Sequence, residues 1–460
     1  MKYISTRGGG EPVDFLEACL AGLAPDGGLF VPETYPKIAA PAPGETYVDT
    51  AARILGAFAG DSLGAAEMLR LCTQAYEGFA HRLVAPLVEV GPGRWMMQLH
   101  EGPTLAFKDV AMQFIARFYD HALAARGETM TIVCATSGDT GGAAAAAFAG
   151  LERVRLVILH PHERISPVQR LFMTTTGAPN VTNLAVEGDF DACQAMVKQM
   201  FADREFAARV RLSGVNSINW ARIAAQSVYY ARAQAALGAG RALQFIVPSG
   251  NMGDSLAGYV AARCGLLDGF ELVCAVNENR ALAEALEAGR MRRSPAVATP
   301  SPAMDITVPS NLERVLFEAS GRDSDLVSGL YGAFAQSGEV ALPERVRGPL
   351  GCMGLSARSI DAARTHDEIR RSAAETGWLV CPHTAVGMAA ARETAREGVT
   401  QVVLATAHAA KFPETIEAAT GRRPNLPERC AARLDSGEVF ERVPSDLPAV
   451  RDAVERASVM

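Results

Sequence analysis

The chemistry in this chain centres on one lysine and three short loops rich in glycine, hydroxyls and charged groups. Lys108 lies in GPTLAFKD, residues 102–109. Gly102-Pro103 marks a turn there, and Asp109 opens a helix with an apolar stripe at Ala111, Ile115, Phe118 and Ala122. Burial against apolar neighbours and the positive end of a helix both disfavour an ammonium. Together they push a lysine from its ordinary pKa of roughly 10.4 toward neutrality. A neutral amine is the form that condenses with a carbonyl group. Taken alone, the same residue also fits a solvated lysine in the first turn of a surface helix.

The first loop is ATSGDTGG, residues 135–142, joining an apolar run to an Ala-rich helix. Its glycines let backbone approach a ligand, and its hydroxyls and helix-start N–H groups suit an anion. A plain strand–helix turn capped by Ser137 or Asp139 accounts for it equally well. PSGNMGD, residues 248–254, repeats the pattern after a second apolar run and offers a second anion seat. Neither string is GxGxxG or GxxxxGK[ST], so neither standard nucleotide fingerprint applies. The third loop, ATAHAAKF at residues 405–412, contributes Thr406, His408 and Lys411. His100, His160, His162, His383 and His408 give no HxxxH or HxxEH, and no metal site is expected.

These loops require strand ends to hold them. Continuous apolar runs at residues 131–135, 154–159, 181–186, 243–247, 272–276, 378–381 and 402–405 alternate with helical stretches. That pattern predicts α/β architecture with largely parallel, doubly covered sheets. In such sheets ligands bind beyond the carboxyl ends of the strands, where the loops fall. Residues before about 90 read as a mostly helical N-terminal domain. Residues 91–130 with 225–460 read as a large α/β domain, and 131–224 as a smaller one. Asp189 or Asp191 is the expected cap of the helix near residues 191–201. Residues 290–302 and 337–350 read as irregular.

Composition narrows the class further. Hydrophobic residues make up 49% of the 460 and charged residues 21%, the profile of a globular protein of two or three domains. The net charge of −7 and the lack of a Lys/Arg block argue against nucleic-acid partners. Nine cysteines without a CxxC pair point away from structural zinc or a disulfide framework and toward a reducing compartment. With no signal-like N-terminus and no apolar run of membrane-spanning length, a cytoplasmic location without membrane contact is expected.

Taken in order, YISTRG, DGGLFVPE, GPTLAFKD, ATSGDTG, GDFDACQ, NSINWAR, PSGNMGD and TAHAAKF resemble the threonine synthase family over nearly the whole chain, from Tyr3 to Phe412. The resemblance implies a fold-type-II pyridoxal 5'-phosphate enzyme, tryptophan synthase β-like, with two open α/β domains and an extra N-terminal mostly helical domain. It implies conversion of O-phospho-L-homoserine and water to L-threonine and phosphate by γ-elimination and β-addition. It makes Lys108 the Schiff-base lysine and catalytic base. Gly250, Asn251, Met252, Gly253 and Asp254 become the cofactor-phosphate loop, with Thr406 beside the pyridine nitrogen and Asp139 near the phenolic oxygen. Ser137, Gly138 and Thr140 would meet the substrate carboxylate, and Asn216, Ser217, Asn219 and Arg222 its phosphate.

The pattern departs from the family at Met252, where Phe is expected, at Ala409, where Pro is usual, and at Cys381, where Asp is common. Two other readings stand beside the main one. The first is another fold-type-II enzyme, a serine/threonine dehydratase or a β-replacement synthase. The second is a catalytically silent relative acting as a binding protein.

Overall fold

The computed structural model describes residues 1–238 and 240–459. Two open sheets face each other, and their carboxyl ends converge. The large sheet runs Leu355–Ser359, Phe270–Val276, Leu243–Pro248, Thr400–Ala405, Arg94–Gln98, Leu87–Gly91. All of its neighbours are parallel except the last pair, a hairpin. The small sheet is parallel throughout, in the order Glu441–Pro444, Val181–Glu187, Val154–Pro161, Met130–Ala135, Leu212–Ser213. Helices cover the sheets, so Leu243–Pro248 is buried at every position and is apolar throughout except at Gln244.

Three expectations need correction. The run at residues 378–381 is not a strand; it makes a single bridge, Val380 to His408. Residues 337–350 are ordered, spanning the end of helix Ser324–Ser337, a strand Glu339–Ala341 and most of helix Glu344–Gly351. The large unit also does not extend to residue 460: Glu441–Pro444 pairs with Val181–Glu187, and helix Leu447–Val459 packs on the small sheet.

The N-terminal unit holds helices Phe15–Ala21, Tyr47–Ala59 and Ala65–Tyr76, the first two capped by Asp14 and Thr46. A short antiparallel pair, Tyr3–Ser5 with Phe30–Pro32, sits beside them. Tyr47, Ala51, Ile54, Leu55 and Phe58 fall on one face of the second helix and are buried. Ile54, Leu55 and Phe58 each contribute about 1.5–3 kcal/mol when fully withdrawn from water. The helix Lys108–Arg126 is the hub of the molecule. It packs against Ala65–Tyr76, Asp139–Phe148 and Trp220–Leu237, and so touches the N-terminal unit and the small one at once.

Candidate active site

The turn ahead of Lys108 is built by its neighbour. Asp109 is buried and its carboxylate accepts from the Thr104 N–H at 2.8 Å and the Thr104 hydroxyl at 2.7 Å. A Cβ on Gly102 would lie 2.4 Å from the Asp109 Cβ, so glycine is required where the chain doubles back. The Phe107 N–H donates to the Thr406 carbonyl at 2.8 Å, and the His408 N–H to the Leu105 carbonyl at 3.0 Å. The third loop is thereby fixed alongside the lysine, and Thr406 is buried there.

The Lys108 side chain is 11% exposed, with Nζ 3.6 Å from Oδ2 of Asp139. Burial lowers its pKa; Asp139 pulls it back up, and the cations Arg222 and Lys411 lower it again, for a net fall. Asp139 is buried at the start of helix Asp139–Phe148. Its Oδ1 accepts from Lys411 Nζ at 2.8 Å and from the Gln169 amide at 2.9 Å. Burial pushes this carboxyl up, but Lys411 and then Lys108 outweigh it and hold it well below the usual carboxylate range.

The turn leading to Asp139 is closed by neither Ser137 nor Asp139, the expected caps. The Thr136 hydroxyl oxygen accepts from the N–H groups of Gly138 and Gly141, each at 2.9 Å. Gly138 has φ +132, and a Cβ there would sit 2.7 Å from the Gln169 side chain. Ser137 and Thr140 are half-buried beside it.

The turn at 250–253 is supported from outside. The Asn251 carbonyl accepts from the Asn311 N–H and side-chain amide, both at 3.1 Å, and its Oδ1 accepts from Ser310. Met252 is buried with φ +60. A Cβ on Gly250 would lie 2.9 Å from the Ala303 carbonyl oxygen. Among the described residues, the N–H groups of Gly250, Asn251, Met252 and Gly253 meet no acceptor within the chain. Four unmet donors at the start of helix Gly253–Arg263 form a seat for an anion. Asp254 does not join it: the hydroxyls of Tyr229 and Tyr230 hold its carboxylate, and burial raises its pKa to about 6.

The substrate-phosphate candidates separate in space. Asn219 caps helix Trp220–Leu237 through the Ala221 N–H, and its amide donates to the Cys19 carbonyl and the Tyr119 hydroxyl, each at 2.8 Å. Its polar atoms are therefore committed to the fold. Asn216 is exposed, and Ser217 lies 3.4 Å from Ser310, Oγ to Oγ. Arg222 is buried, donates one bond to the Val215 carbonyl at 3.2 Å, and keeps an unpartnered Nε. Burial lowers its pKa to about 10, which still leaves it charged at neutral pH.

Sequence reasoning named Lys411 only as a cation of the third loop and assigned no role to Gln169 or His383. The last is buried, accepts from the Ala303 N–H at 3.2 Å, and is held neutral by burial, its pKa near 4. The signal for Lys411 was present: like Lys108, it lies in an apolar string.

Lys411 and Arg222 both bear on Lys108 and, with burial, tip it toward the neutral amine. A buried amine whose charged form burial disfavours, a turn with four unmet N–H donors and a buried guanidinium with an unpartnered Nε suit an aldehyde that carries a phosphate. Fold and site define the class: a fold-type-II pyridoxal-phosphate enzyme, and residues 89–407 match the family model "Pyridoxal-phosphate dependent enzyme".

Both ends of the chain narrow the class to one family. Residues 2–76 match the model "Threonine synthase N terminus" and residues 384–454 "Threonine synthase, C-terminal". The threonine synthase of Pseudomonas aeruginosa is 42% identical, the match covering 99% of this chain and 98% of that one. The solved structure of pyridoxal-phosphate-bound threonine synthase from Brucella melitensis superposes with a TM-score of 0.95 at 45% identity, covering all of both chains. The yeast threonine synthase structure gives 0.92 at 32%, covering 100% of this chain and 99% of that one. The chain belongs to the threonine synthase family.

Proposed function

We propose that this enzyme converts O-phospho-L-homoserine and water to L-threonine and inorganic phosphate, with Lys108 as the amine that carries the cofactor. One observation supports this reading above the others: the nearly buried Lys108 interacts electrostatically with Arg222 and with Asp254, the residue that follows the 250–253 turn, so two separate groups ready for anions, that turn and Arg222, lie in its neighbourhood. One suits the phosphate of the cofactor and the other the phosphate of the substrate.

Bound pyridoxal phosphate supplies an electron sink that acidifies the hydrogens next to the substrate amine. The N–H groups of residues 250–253 hold its phosphate, and Thr406 offers its ring nitrogen a hydroxyl rather than a carboxylate. Lys108 Nζ, tipped toward its neutral form by burial and by the cations Arg222 and Lys411, takes the proton from the substrate α-carbon. A second proton leaves the β-carbon as the γ-phosphate departs, and Arg222 offsets the charge that gathers on the leaving oxygen. The departing phosphate takes that second proton, and water then adds its hydroxyl at the β-carbon. The other proton of the water and the one held on Lys108 go to the γ-carbon, which becomes the methyl group, and back to the α-carbon. Ser137, Gly138 and Thr140 orient the substrate carboxylate, with Asn216 and Ser217 near its phosphate. Asn219 and Asp254 act one step back, fixing the helices that carry Arg222 and the 250–253 turn.

Incubation with O-phospho-L-homoserine should release phosphate and threonine in equal amounts. Pyruvate from serine without that activity would favour the dehydratase reading. Lys108→Ala should abolish turnover and leave no borohydride-trapped cofactor on the chain; an adduct that persisted would move the reactive amine elsewhere.

A further inference from the structure

Lys411 is the second lysine of the site, and its geometry is more constrained than that of Lys108. It is 0% exposed, its ammonium donates to the Thr104 carbonyl at 2.8 Å, and it pairs with Asp139 Oδ1 at 2.8 Å. Its charge also lies 5.0 Å from the centroid of the Phe172 ring. Lys108 meets the other oxygen of the same carboxylate at the looser distance of 3.6 Å. One carboxylate is thus shared unequally by two lysines.

A buried carboxylate left alone with Lys108 would bind it as an ammonium, because an opposite charge at contact favours the charged form. A protonated amine has no lone pair with which to attack an aldehyde. From the geometry we infer that Lys411 is a positioning residue that claims the charge of Asp139 and thereby leaves Lys108 free to be neutral. This rests on the reading of Lys108 as the reactive amine, and it gives Asp139 the part of a charge relay point between two lysines rather than that of a lone ligand.

The other charged and titratable groups around Lys108 stay constant in the comparison. They are Arg222 on helix Trp220–Leu237, Asp254 on Gly253–Arg263 and His383 on Pro382–Thr394. Asp109 lies near Lys411 and is likewise unchanged.

The test is a pH series on the full chain, stripped of cofactor and titrated with pyridoxal phosphate. It follows the lysine-linked absorption band and borohydride trapping. Lys411→Met leaves Asp139 unopposed, raises the Lys108 pKa, and should move the midpoint for linkage to higher pH by about one unit or more, a tenfold loss of capture below it. Asp139→Asn leaves Lys411 unopposed and should move the midpoint down. The double variant Asp139→Asn/Lys411→Met removes both charges and should return close to wild type, as should Lys411→Arg.

A merely structural role for Lys411 would make the double variant at least as impaired as the single one, and that result would overturn the proposal. So would coincident midpoints for all the variants. Asp139→Asn keeps the cavity filled and carries the opposite sign, so the question stays decidable even if Lys411→Met folds poorly. Trapping that survives Lys108→Ala would instead sink the underlying assignment of the amine.

Discussion

Two Gly-rich turns of this molecule, residues 136–142 and 249–254, differ in how far their own side chains meet their backbone donors. Both follow a central parallel strand, both open a helix, and both combine Ser, Gly and an acidic residue. In the 136–142 turn, the Thr136 hydroxyl satisfies the donors of Gly138 and Gly141, while those of Ser137, Asp139 and Thr140 meet no acceptor among the described residues. In the 250–253 turn the donors are unmet, while Asn251 is gripped from behind by Ser310 and Asn311. The Thr136 hydroxyl makes the first turn in part a scaffold that places the Asp139 carboxylate. Among the described residues no side chain closes the second, which is gripped only from behind by Ser310 and Asn311. An internal acceptor, rather than the number of glycines, separates the scaffold part of one turn from the open anion seat of the other.

The largest test of that contrast is Gly250→Ala. The new Cβ would stand 2.9 Å from the Ala303 carbonyl, and the segment that carries Ala303 is pinned. Asn277 holds it by bonds to Ser301 Oγ at 3.1 Å and Asp305 Oδ1 at 2.7 Å. With no room to retreat, the turn must shift, at an overpacking cost of about 1–3 kcal/mol. Pyridoxal phosphate affinity, followed by spectral titration, should fall roughly ten- to hundredfold. Unchanged affinity would mean that the turn is not the seat.

Arg222→Ala sharpens the same contrast by separating the two anions. Loss of a charge-assisted contact costs about 1.5–3 kcal/mol. The KM for O-phospho-L-homoserine should therefore rise by about one to two orders of magnitude, while cofactor loading stays near wild type. Equal losses in both would place Arg222 with the cofactor.

Much of this arrangement was legible in the sequence, and the failures share a cause. Central strands such as Leu243–Pro248 are buried on both faces and announce themselves as apolar runs. Edge strands do not. Leu355–Ser359 and Glu441–Pro444 are mostly half-exposed or exposed and carry Ser, Arg and Glu, so they read as loop. The run at residues 378–381 is apolar enough to imitate a strand, but it lies beside the sheet and forms only one bridge.

In the site, the apolar flank of Lys108 marked its burial. The partnership of Asp139 with Lys411 could not be read, because it joins residues far apart in sequence that only the convergence of two sheets brings together. Asn219 and Asp254 show a different ambiguity. A polar side chain at a helix start serves equally as cap or as ligand, and here both are committed to the fold.

Thr136→Val carries the smallest expected effect and addresses the scaffold turn directly. Valine preserves the shape and removes the acceptor shared by two buried N–H groups. Leaving buried donors unmet costs about 1–3 kcal/mol, so thermal unfolding should begin earlier. Asp139 sits between those two glycines but is oriented by Gln169 and Lys411 from the other side. Because those two bonds remain, Asp139 should keep its place, and cofactor affinity should change by less than about threefold, well short of the effect at Gly250. Equal damage to cofactor affinity from Thr136→Val and Gly250→Ala would show that the two turns act as one unit, and the distinction between scaffold and seat would fail.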